Sequence, residues 1–353
     1  MMLARLLKDL LRRRKPLSSG DMVAQVRALL EQARFDDAAR IATDFIAREP
    51  DSAELLRLRG VAALNAGRPL EACPDLARAA ELAPGQPNYL LDAALAWRAL
   101  GDNGKAIEYC ERARRADPDF GPAYHLQARI VLGGEPYTAV LARIHELLHP
   151  RSYVEIGVFD GRSLQIATPP TIAIGIDPEP KLARAPAPNH RVFAETSDAF
   201  FSGRDLRDEL GGLPVDLAFI DGMHHFEYAL RDFINLERYC TRGSVIMIHD
   251  CYPLDRETAE RIPRGDFWSG DIWRLVVLLK KYRPDLAIDT VGTPPTGLAI
   301  VRNLDPGSRF LPERVGPLCD EFLALDYAYL DDDKAGKLNL FPNDWHKIKA
   351  LLV

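Results

Sequence analysis

Acidic and imidazole side chains recur through the second half of the sequence, each at or just after the end of a short apolar run. They are Glu155, Asp177, Asp198, Asp221, His249 and Asp250. Carboxylates can accept hydrogen bonds from ribose hydroxyls or hold a divalent cation, and an imidazole can take up a proton near neutral pH. If the apolar runs are parallel strands, these groups gather at one edge of a sheet. The sequence therefore predicts a binding and catalytic site there.

The apolar runs are predicted to form a doubly wound, Rossmann-like α/β sheet. Strands are expected at 152–157, 172–177, 190–194, 215–220, 244–248, 286–291 and 296–301. Helices are expected at 136–148, before the first strand, and at 227–239. The alternation of strands and helices predicts a parallel sheet with right-handed crossovers, whose ligands lie over the carboxyl ends of the strands.

A glycine turn follows the first predicted strand, and a helix is expected to begin after it, near Ser163. The turn carries Gly157 and Gly161, spaced GxxxG. A dinucleotide site requires GxGxxG to hold a pyrophosphate, and no Walker lysine follows, so a dehydrogenase is disfavoured. A ligand with a ribose but no phosphate fits better. Asp177, twenty residues after Gly157, is placed to bind that ribose.

Residues 151–303 resemble the class I S-adenosylmethionine-dependent methyltransferases. The resemblance rests on the E-x-G-x-x-x-G motif that begins at Glu155, on the order and spacing of the acids, and on the segment IDGMH at 220–224. An IDGxH segment is similar to that of small-molecule and sugar O-methyltransferases. The resemblance implies an enzyme that binds S-adenosyl-L-methionine and methylates an oxygen of a sugar, a glycan or a small metabolite.

The resemblance also implies which residues bind the cofactor. They are Glu155, Gly157, Gly161, Asp177, Ser197 and Asp198. The two glycines would let the methionine portion pass close to the backbone, and Glu155 would lie beneath it. Asp177 would bind the ribose, and residues 197 and 198 would reach the adenine edge. Two other interpretations remain open, in which Glu155 caps the turn and Asp198 caps a helix.

The chemistry of methyl transfer requires an aligned acceptor that loses its proton. Asp221, His224 and Asp250 are expected to be catalytic. Asp221 and Asp250 end neighbouring strands and could share a divalent cation, Mg²⁺ by resemblance to metal-dependent O-methyltransferases. Those enzymes place a third oxygen ligand beside the second acid, where this chain has His249 and Cys251. Without a metal, His224 is the preferred general base.

Three further parts of the sequence each have two possible interpretations. The aromatic segment 267–274 either stacks on a sugar acceptor or forms a helix start that Asp271 caps, with Trp273 in the core. His225 is a second candidate base, or it packs against or caps the helix that follows. The C-terminal extension, 304–353, contains an acidic run expected to be exposed, and its end either covers the site or packs on the repeats.

The first part of the sequence repeats with a period of 34 residues. Pro50, Pro84 and Pro118 share this spacing, and small residues keep the same phase. The pattern resembles the tetratricopeptide repeat, an α solenoid of helix pairs. Pairs are expected at 21–33 with 36–48, 53–66 with 69–82, and 87–100 with 103–116, and a further helix at 122–132. The resemblance implies a protein-binding groove, and a spacer or dimerisation element remains the alternative.

Composition sets the remaining expectations. The 353 residues carry a net charge of −6 without a basic patch, so no nucleic-acid partner is expected. Five scattered cysteines indicate a reducing compartment, and the absence of an apolar stretch of about eighteen residues predicts a cytoplasmic protein. Residues 1–15 are leucine-rich and basic, and they either contact a membrane weakly or cap the repeats. The oligomeric state is left open.

The expected organisation has four parts. They are a basic amphipathic segment at 1–20, repeats at 21–134, a methyltransferase domain at 135–303 and an extension at 304–353. The predicted function is methyl transfer to a small-molecule or glycan acceptor, with the repeats recruiting a partner or substrate. The alternative is a non-catalytic interaction scaffold that retains the methyltransferase fold.

Overall fold

The computed structural model describes residues 18–263 and 265–353. The chain divides into two compact units, Met1–Ile130 and Val131–Val353. Residues 1–17, which hold the predicted membrane-contacting segment, lie outside the described part of the chain. Among the described residues, no helix has both the length and the apolar character that crossing a membrane requires.

The first unit is built from successive helices that match the predicted pairs. They are α1 Ser19–Glu31, α2 Phe35–Ile46, α3 Ala53–Asn65, α4 Pro69–Leu82, α5 Pro87–Ala99, α6 Asn103–Ala116 and α7 Gly121–Leu132. Small residues of the repeat that lie inside the helices, such as Gly60 and Ala72, are buried against neighbouring helices. A Cβ atom on Gly60 would lie 2.5 Å from the Cγ atom of Leu76, so α3 packs on α4 without room for a side chain there. The α solenoid is therefore confirmed.

The second unit is a sheet with helices. Its elements are α8 Tyr137–Leu148, β1 Ser152–Ile156, β2 Ile172–Ile176, β3 His190–Phe193, α9 Ser197–Gly203, α10 Leu206–Glu209, β4 Val215–Ile220, α11 Phe226–Glu237, β5 Cys240–His249, α12 Trp273–Tyr282, β6 Ala287–Val291, β7 Leu298–Arg302, α13 Val315–Leu323, α14 Lys334–Lys337, β8 Leu340–Phe341 and α15 Trp345–Leu352. Short 3₁₀ turns span Leu164–Ile166, Pro312–Arg314 and Tyr327–Leu330.

The strand order is β3-β2-β1-β4-β5-β7-β6-β8. The first five strands are parallel neighbours, in the order of a doubly wound nucleotide-binding fold, which confirms the predicted class. The expectation of an entirely parallel sheet is wrong, because β7 runs antiparallel to both β5 and β6. Only residues 292–297 connect β6 to β7, and a connection that short can reverse direction but cannot cross over to a parallel neighbour.

The helix expected after the glycine turn is absent from the described structure. Residues 164–166 form a single 3₁₀ turn instead. Pro169 and Pro170 follow closely, and proline both lacks an amide donor and disfavours helix at the residue before it. The chain therefore returns from β1 to β2 without a crossover helix, and the glycine turn has no long helix behind it.

The tail at 304–353 belongs to the same compact unit as the sheet. Strand β8 pairs with β6. Leu318 and Phe322 are buried in one apolar cluster of the sheet and Ile348 in another. The acidic run at 331–333 is exposed, as the sequence predicts. The unit that folds around the site is thus longer than the predicted 135–303.

A truncation tests this boundary. We expect a fragment of residues 131–353 to unfold in one cooperative transition in urea, monitored by circular dichroism. A fragment of residues 131–303 should show no cooperative transition. Removing buried leucine, isoleucine and phenylalanine side chains costs about 2–5 kcal/mol each, and a domain has only about 5–15 kcal/mol of stability. Equal midpoints for the two fragments would show that the tail is dispensable.

Candidate active site

Three predicted catalytic side chains meet at the carboxyl ends of β4 and β5. The Nε2 atom of His224 lies 2.9 Å from Asp250 Oδ2 and 3.7 Å from Asp221 Oδ1. One ligand atom of each residue lies within 4.8 Å of the other two. The adjacency of β4 and β5 produces this arrangement, because each aspartate directly follows its strand. The three side chains form one group, which we call the carboxylate–imidazole cluster.

His249 joins the two aspartates of the cluster. Its Nδ1 atom lies 3.0 Å from Asp221 Oδ1 and 3.0 Å from Asp250 Oδ2. Thr296 donates from its hydroxyl to Asp250 Oδ1 at 2.6 Å, and the ring of Tyr137 packs on His249 with centroids 4.0 Å apart. The sequence placed His249 at the predicted sheet edge and marked it as a departure from an oxygen ligand, but it did not indicate that His249 bridges the two aspartates. Neither Tyr137 nor Thr296 follows the carboxyl end of a predicted strand, so no sequence pattern indicated them.

The charges of the cluster stabilise one another. Burial acts to lower the pKa of His249, but Asp250 and Asp221 outweigh it and raise that pKa to about 10. The pKa of His224 is likewise raised well above its ordinary value, against burial, by the same carboxylates. Burial acts to raise the pKa of Asp250, and the two imidazoles nevertheless hold it well below its usual range. The two carboxylates therefore favour the protonated form of both imidazoles.

Backbone strain and a neighbouring segment fix the position of His224. His224 and Asp250 have φ angles of 53° and 57°, a left-handed conformation that costs a non-glycine residue about 1–3 kcal/mol. The carbonyl oxygen of His224 accepts from the amide of Asp271 at 3.2 Å. A Cβ atom on Gly270 would lie 1.9 Å from that oxygen. The ring of Trp268 stacks on the imidazole with centroids 5.0 Å apart.

The aromatic segment 267–274 therefore packs beside the cluster. The alternative predicted for it is a helix start that Asp271 caps, with Trp273 in the core, and only the second part is right. Trp273 is fully buried, as expected. Asp271 does not cap its own helix. Its Oδ1 atom accepts from the amide of Phe226 at 2.7 Å, at the start of α11. His225 precedes that helix, and its Nε2 atom lies 3.0 Å from the carbonyl oxygen of Arg261, outside the cluster.

The glycine turn touches the cluster through the backbone. Gly157 has a φ angle of 88°, and a Cβ atom there would lie 2.0 Å from the carbonyl oxygen of Asp221. The amide of Asp221 donates to the carbonyl of Ile156 at 2.8 Å. Glycine is thus needed at 157 so that the turn after β1 can lie against the end of β4. The predicted cofactor turn and the predicted catalytic residues are parts of one site.

Asp177 holds the same turn in place. Its Oδ2 atom accepts from the amides of Val158 and Phe159 at 2.9 and 2.8 Å, and its Oδ1 atom accepts from Glu179 at 2.7 Å. A carboxylate has about four lone-pair sites, so capacity remains for ribose hydroxyls. Residues 181 and 183 donate from their amides to carbonyls of the turn at 2.8 and 2.9 Å. These two residues belong to a segment that lies against the turn, so a ligand on the turn would contact it. No sequence pattern indicated this segment.

Glu155 lies beneath the turn and is fully buried. It accepts from the hydroxyls of Tyr153 at 2.6 Å and Ser163 at 2.7 Å. Its partners are hydroxyls, so it does not cap the turn through backbone amides. Burial raises the pKa of Glu155 to about 8. Near neutral pH the ligand-free protein therefore holds this carboxyl largely protonated.

The predicted adenine-edge residues begin α9. Thr196, rather than Asp198, caps this helix by accepting from Ala199 at 3.2 Å, so the capping interpretation of Asp198 is wrong. Asp198 instead pairs with Arg231 at 2.8 Å. Ser197 hydrogen-bonds to Asp232, whose pKa burial raises to about 7. Contact of Ser197 and Asp198 with adenine stays a prediction.

Two cavities adjoin the sheet at opposite edges. A cavity of about 10 Å³ borders Asp221, His224 and Asp250. A larger one, of about 670 Å³, lies at the amino ends of β1 and β2, and Ile166 and Ile172 contribute to its lining. Ligands of doubly wound sheets lie at the carboxyl ends, where this chain also places its carboxylates and imidazoles. We therefore assign the candidate site to the edge with the small cavity.

Comparisons with known families agree with this division. A family model described as "Methyltransferase domain" matches residues 154–251, and one described as "Tetratricopeptide repeat" matches residues 23–87 and 74–119. The chain is a tetratricopeptide-repeat array fused to a methyltransferase domain. The matched methyltransferase segment runs from β1 to just past Asp250 and contains the glycine turn and the cluster. This match supports methyl transfer as the general activity.

Solved structures with similar parts are known. A MamA structure is 22% identical, with 36% of this chain and 75% of that one covered and a TM-score of 0.33. MamA 41-end from Desulfovibrio magneticus RS-1 is 19% identical, with 36% and 71% covered and a TM-score of 0.32. The first TPR domain of human RPAP3 is 19% identical, with 31% and 87% covered and a TM-score of 0.30. No curated protein matches the chain.

The donor set of the cluster does not match the expected magnesium site. Mg²⁺ prefers oxygen ligands and keeps several waters. Asp221 and Asp250 supply carboxylates, but the third group within reach is the imidazole of His224. The position after Asp250 is Cys251, which is buried and lies 3.5 Å from the carbonyl oxygen of Ile248. Two carboxylates and an imidazole suit a different ion from magnesium.

The buried carboxyl of Glu155 predicts a pH dependence of stability. Its pKa rises from 4.5 when exposed to about 8 when folded, so the protonated form favours folding. This contribution is fully present below pH 4.5 and is lost as pH rises to about 8. Relative to Glu155→Gln, the wild type should lose about 1 kcal/mol per pH unit within that range and nothing outside it. Urea unfolding of both proteins across pH measures the difference, and a constant difference would contradict the burial argument.

Proposed function

We propose that residues 131–353 form an S-adenosylmethionine-dependent methyltransferase that acts on an oxygen acceptor. One observation carries this proposal, the close contact between Gly157 and the carbonyl of Asp221. That contact puts the cofactor turn beside the carboxylate–imidazole cluster. A methyl donor bound on the turn therefore presents its sulfonium next to groups that handle a proton.

The cofactor-binding part of the proposal assigns one group to each portion of the ligand. Gly157 and Gly161 would hold the methionine portion, and Glu155 would face its ammonium. The ribose hydroxyls bind the free lone pairs of Asp177. The adenine lies at the start of α9, by Ser197 and Asp198. An ammonium above Glu155 favours the ionised carboxylate, so binding near neutral pH releases a proton there.

The reaction forms an oxygen–methyl bond, breaks the sulfonium–methyl bond and frees the proton of the acceptor hydroxyl. We assign uptake of that proton to the cluster. Asp221 is its more accessible carboxylate, because 17% of its side chain is exposed against 4% for Asp250. The two carboxylates raise the pKa of His224 above its ordinary value, which favours its protonated form, so we assign it a positioning role in place of the general-base role that the sequence suggested. Its role is to hold and balance the carboxylates at the reacting oxygen.

The acceptor class rests on the aromatic side chain beside the cluster. Trp268 is half-buried and stacks on His224, and a tryptophan ring next to polar groups suits the apolar face of a sugar. We therefore favour a sugar or glycan acceptor over other small metabolites.

We assign to the repeats the binding of a protein partner or of a carrier of the acceptor. First helices of neighbouring repeats are joined by polar pairs, among them Arg27 with Glu54 at 2.6 Å and Arg57 with Asp92 at 2.6 Å. These pairs leave the helix faces polar but internally neutralised. A partner would therefore recognise shape and hydrogen bonds more than net charge. The competing function, a scaffold without catalysis, predicts partner binding with no turnover.

Cofactor binding is tested by calorimetry with S-adenosylmethionine, S-adenosylhomocysteine and NAD. We expect the first two to bind and NAD not to bind. Asp177→Ala should weaken binding by about 1–3 kcal/mol, because ribose hydroxyls lose their acceptor and the turn loses its support. Glu179→Ala, which changes a nearby exposed carboxylate, is the matched control and should bind as the wild type does. Equal affinity of the Asp177 variant, or NAD binding, would contradict the assignment.

Chemistry is tested by formation of S-adenosylhomocysteine with a panel of sugars and glycans. Asp221→Asn should lower turnover about a hundredfold to ten-thousandfold, the typical contribution of a proton-transfer group, while cofactor affinity changes little. His224→Ala should also lower turnover, because the carboxylates lose the imidazole that holds them. His225→Ala removes the neighbouring imidazole, which faces Arg261 instead, and should keep turnover. Turnover that survives both cluster substitutions would remove the cluster from the mechanism.

A further inference from the structure

The orientation of His224 restricts what lies between it and the aspartates. Its Nδ1 atom is 3.2 Å from the carbonyl oxygen of Trp268. A carbonyl only accepts, so Nδ1 carries a hydrogen and the lone pair of a neutral imidazole is on Nε2. That nitrogen lies 2.9 Å from Asp250 Oδ2. A lone pair and a carboxylate oxygen at this distance repel each other unless a cation, either a proton or a metal ion, lies between them.

We propose that Asp221, His224 and Asp250 bind a first-row transition-metal ion of the Zn²⁺ class through one nitrogen and two oxygens. The inference deepens the proposed function. It rests on that function only because it treats the cluster as the reactive end of the site. Ligands at about 2.0–2.2 Å from an ion lie roughly 2.8–4.4 Å from each other. The Nε2 distances of 2.9 Å to Asp250 and 3.7 Å to Asp221 fall in that range. The ligand atoms of all three residues lie within 4.8 Å of one another, so small side-chain adjustments bring them into coordinating range.

The surroundings of the three ligands also fit a metal centre. A ligating histidine commonly donates its other N–H to a carbonyl, as His224 does to Trp268. Asp250 is further held by the hydroxyl of Thr296 at 2.6 Å and by His249 Nδ1 at 3.0 Å. Three protein ligands leave coordination positions for water or substrate, as in catalytic zinc sites.

The nitrogen ligand decides the class of ion. Imidazole suits Zn²⁺, Fe²⁺, Ni²⁺ and Cu²⁺, whereas carboxylates, carbonyls and water suit Mg²⁺. A third oxygen ligand would favour magnesium, but the third group here is His224. The site should therefore prefer Zn²⁺ to Mg²⁺, in contrast to the magnesium dependence that the family resemblance implies.

The test uses the full chain, treated with a chelator and then titrated with Zn²⁺ alone in a calorimeter. We expect one high-affinity Zn²⁺ per chain, retained against a large excess of Mg²⁺ and confirmed by metal analysis. His224→Ala should weaken this affinity at least about tenfold. His225→Ala is the matched control, and its affinity should equal that of the wild type. Absence of Zn²⁺ binding, displacement by Mg²⁺, or unchanged affinity in His224→Ala would overturn the proposal.

A spectroscopic measurement guards against a variant that merely misfolds. Co²⁺ in the wild type and in His225→Ala should give the same visible absorption bands, and the bands should be lost or shifted in His224→Ala and in Asp250→Asn. Bands that are identical in all four proteins would place the ion elsewhere and overturn the proposal. Binding of S-adenosylhomocysteine is measured separately. Metal binding without cofactor binding would refute the proposed function alone, and cofactor binding without metal binding would refute this inference alone.

Discussion

Two carboxylates held close together in a largely buried site need a cation or a shared proton to offset their repulsion, and the site is organised around this constraint. Asp221 and Asp250 end adjacent parallel strands, so the sheet itself brings them together. His249 bridges them from within the second strand, and His224 reaches them from the loop after the first. The rest of the local structure supports these contacts. Gly270 makes room for the carbonyl of His224, and the glycine turn lies against Asp221.

Much of the fold follows from patterns that the sequence carries openly. The 34-residue period predicts the helix pairs, since small residues must recur wherever two helices pack closely. Buried strands read as apolar runs, and the acids that follow them mark the carboxyl edge. The meeting of Asp221, His224 and Asp250 could therefore be expected from strand order alone. Their roles in catalysis remain proposals.

The remaining features depend on contacts between residues that are distant in sequence. The Asp271 carboxylate caps α11 because tertiary packing brings the amide of Phe226 to it, and a local capping rule assigned it to α12. Tyr137 and Thr296 reach the cluster from a linking helix and a late loop, and no local motif marks either one. Pro169 and Pro170 are a local signal against a crossover helix after the glycine turn. The resemblance to a fold in which a helix follows that turn favoured the helix instead. The buried tail packs through isolated apolar side chains. Its sequence pattern resembles that of any short amphipathic helix, so the pattern alone does not indicate the packing.

The central claim is that one edge of the sheet holds a methyl donor next to the carboxylate–imidazole cluster. A crystal structure of the full chain with S-adenosylhomocysteine tests it most directly. We expect the ribose at Asp177, the amino group above Glu155 and the sulfur facing Asp221 and His224. Ligand density in the cavity of about 670 Å³ at the amino ends of β1 and β2, with none over the glycine turn, would contradict it.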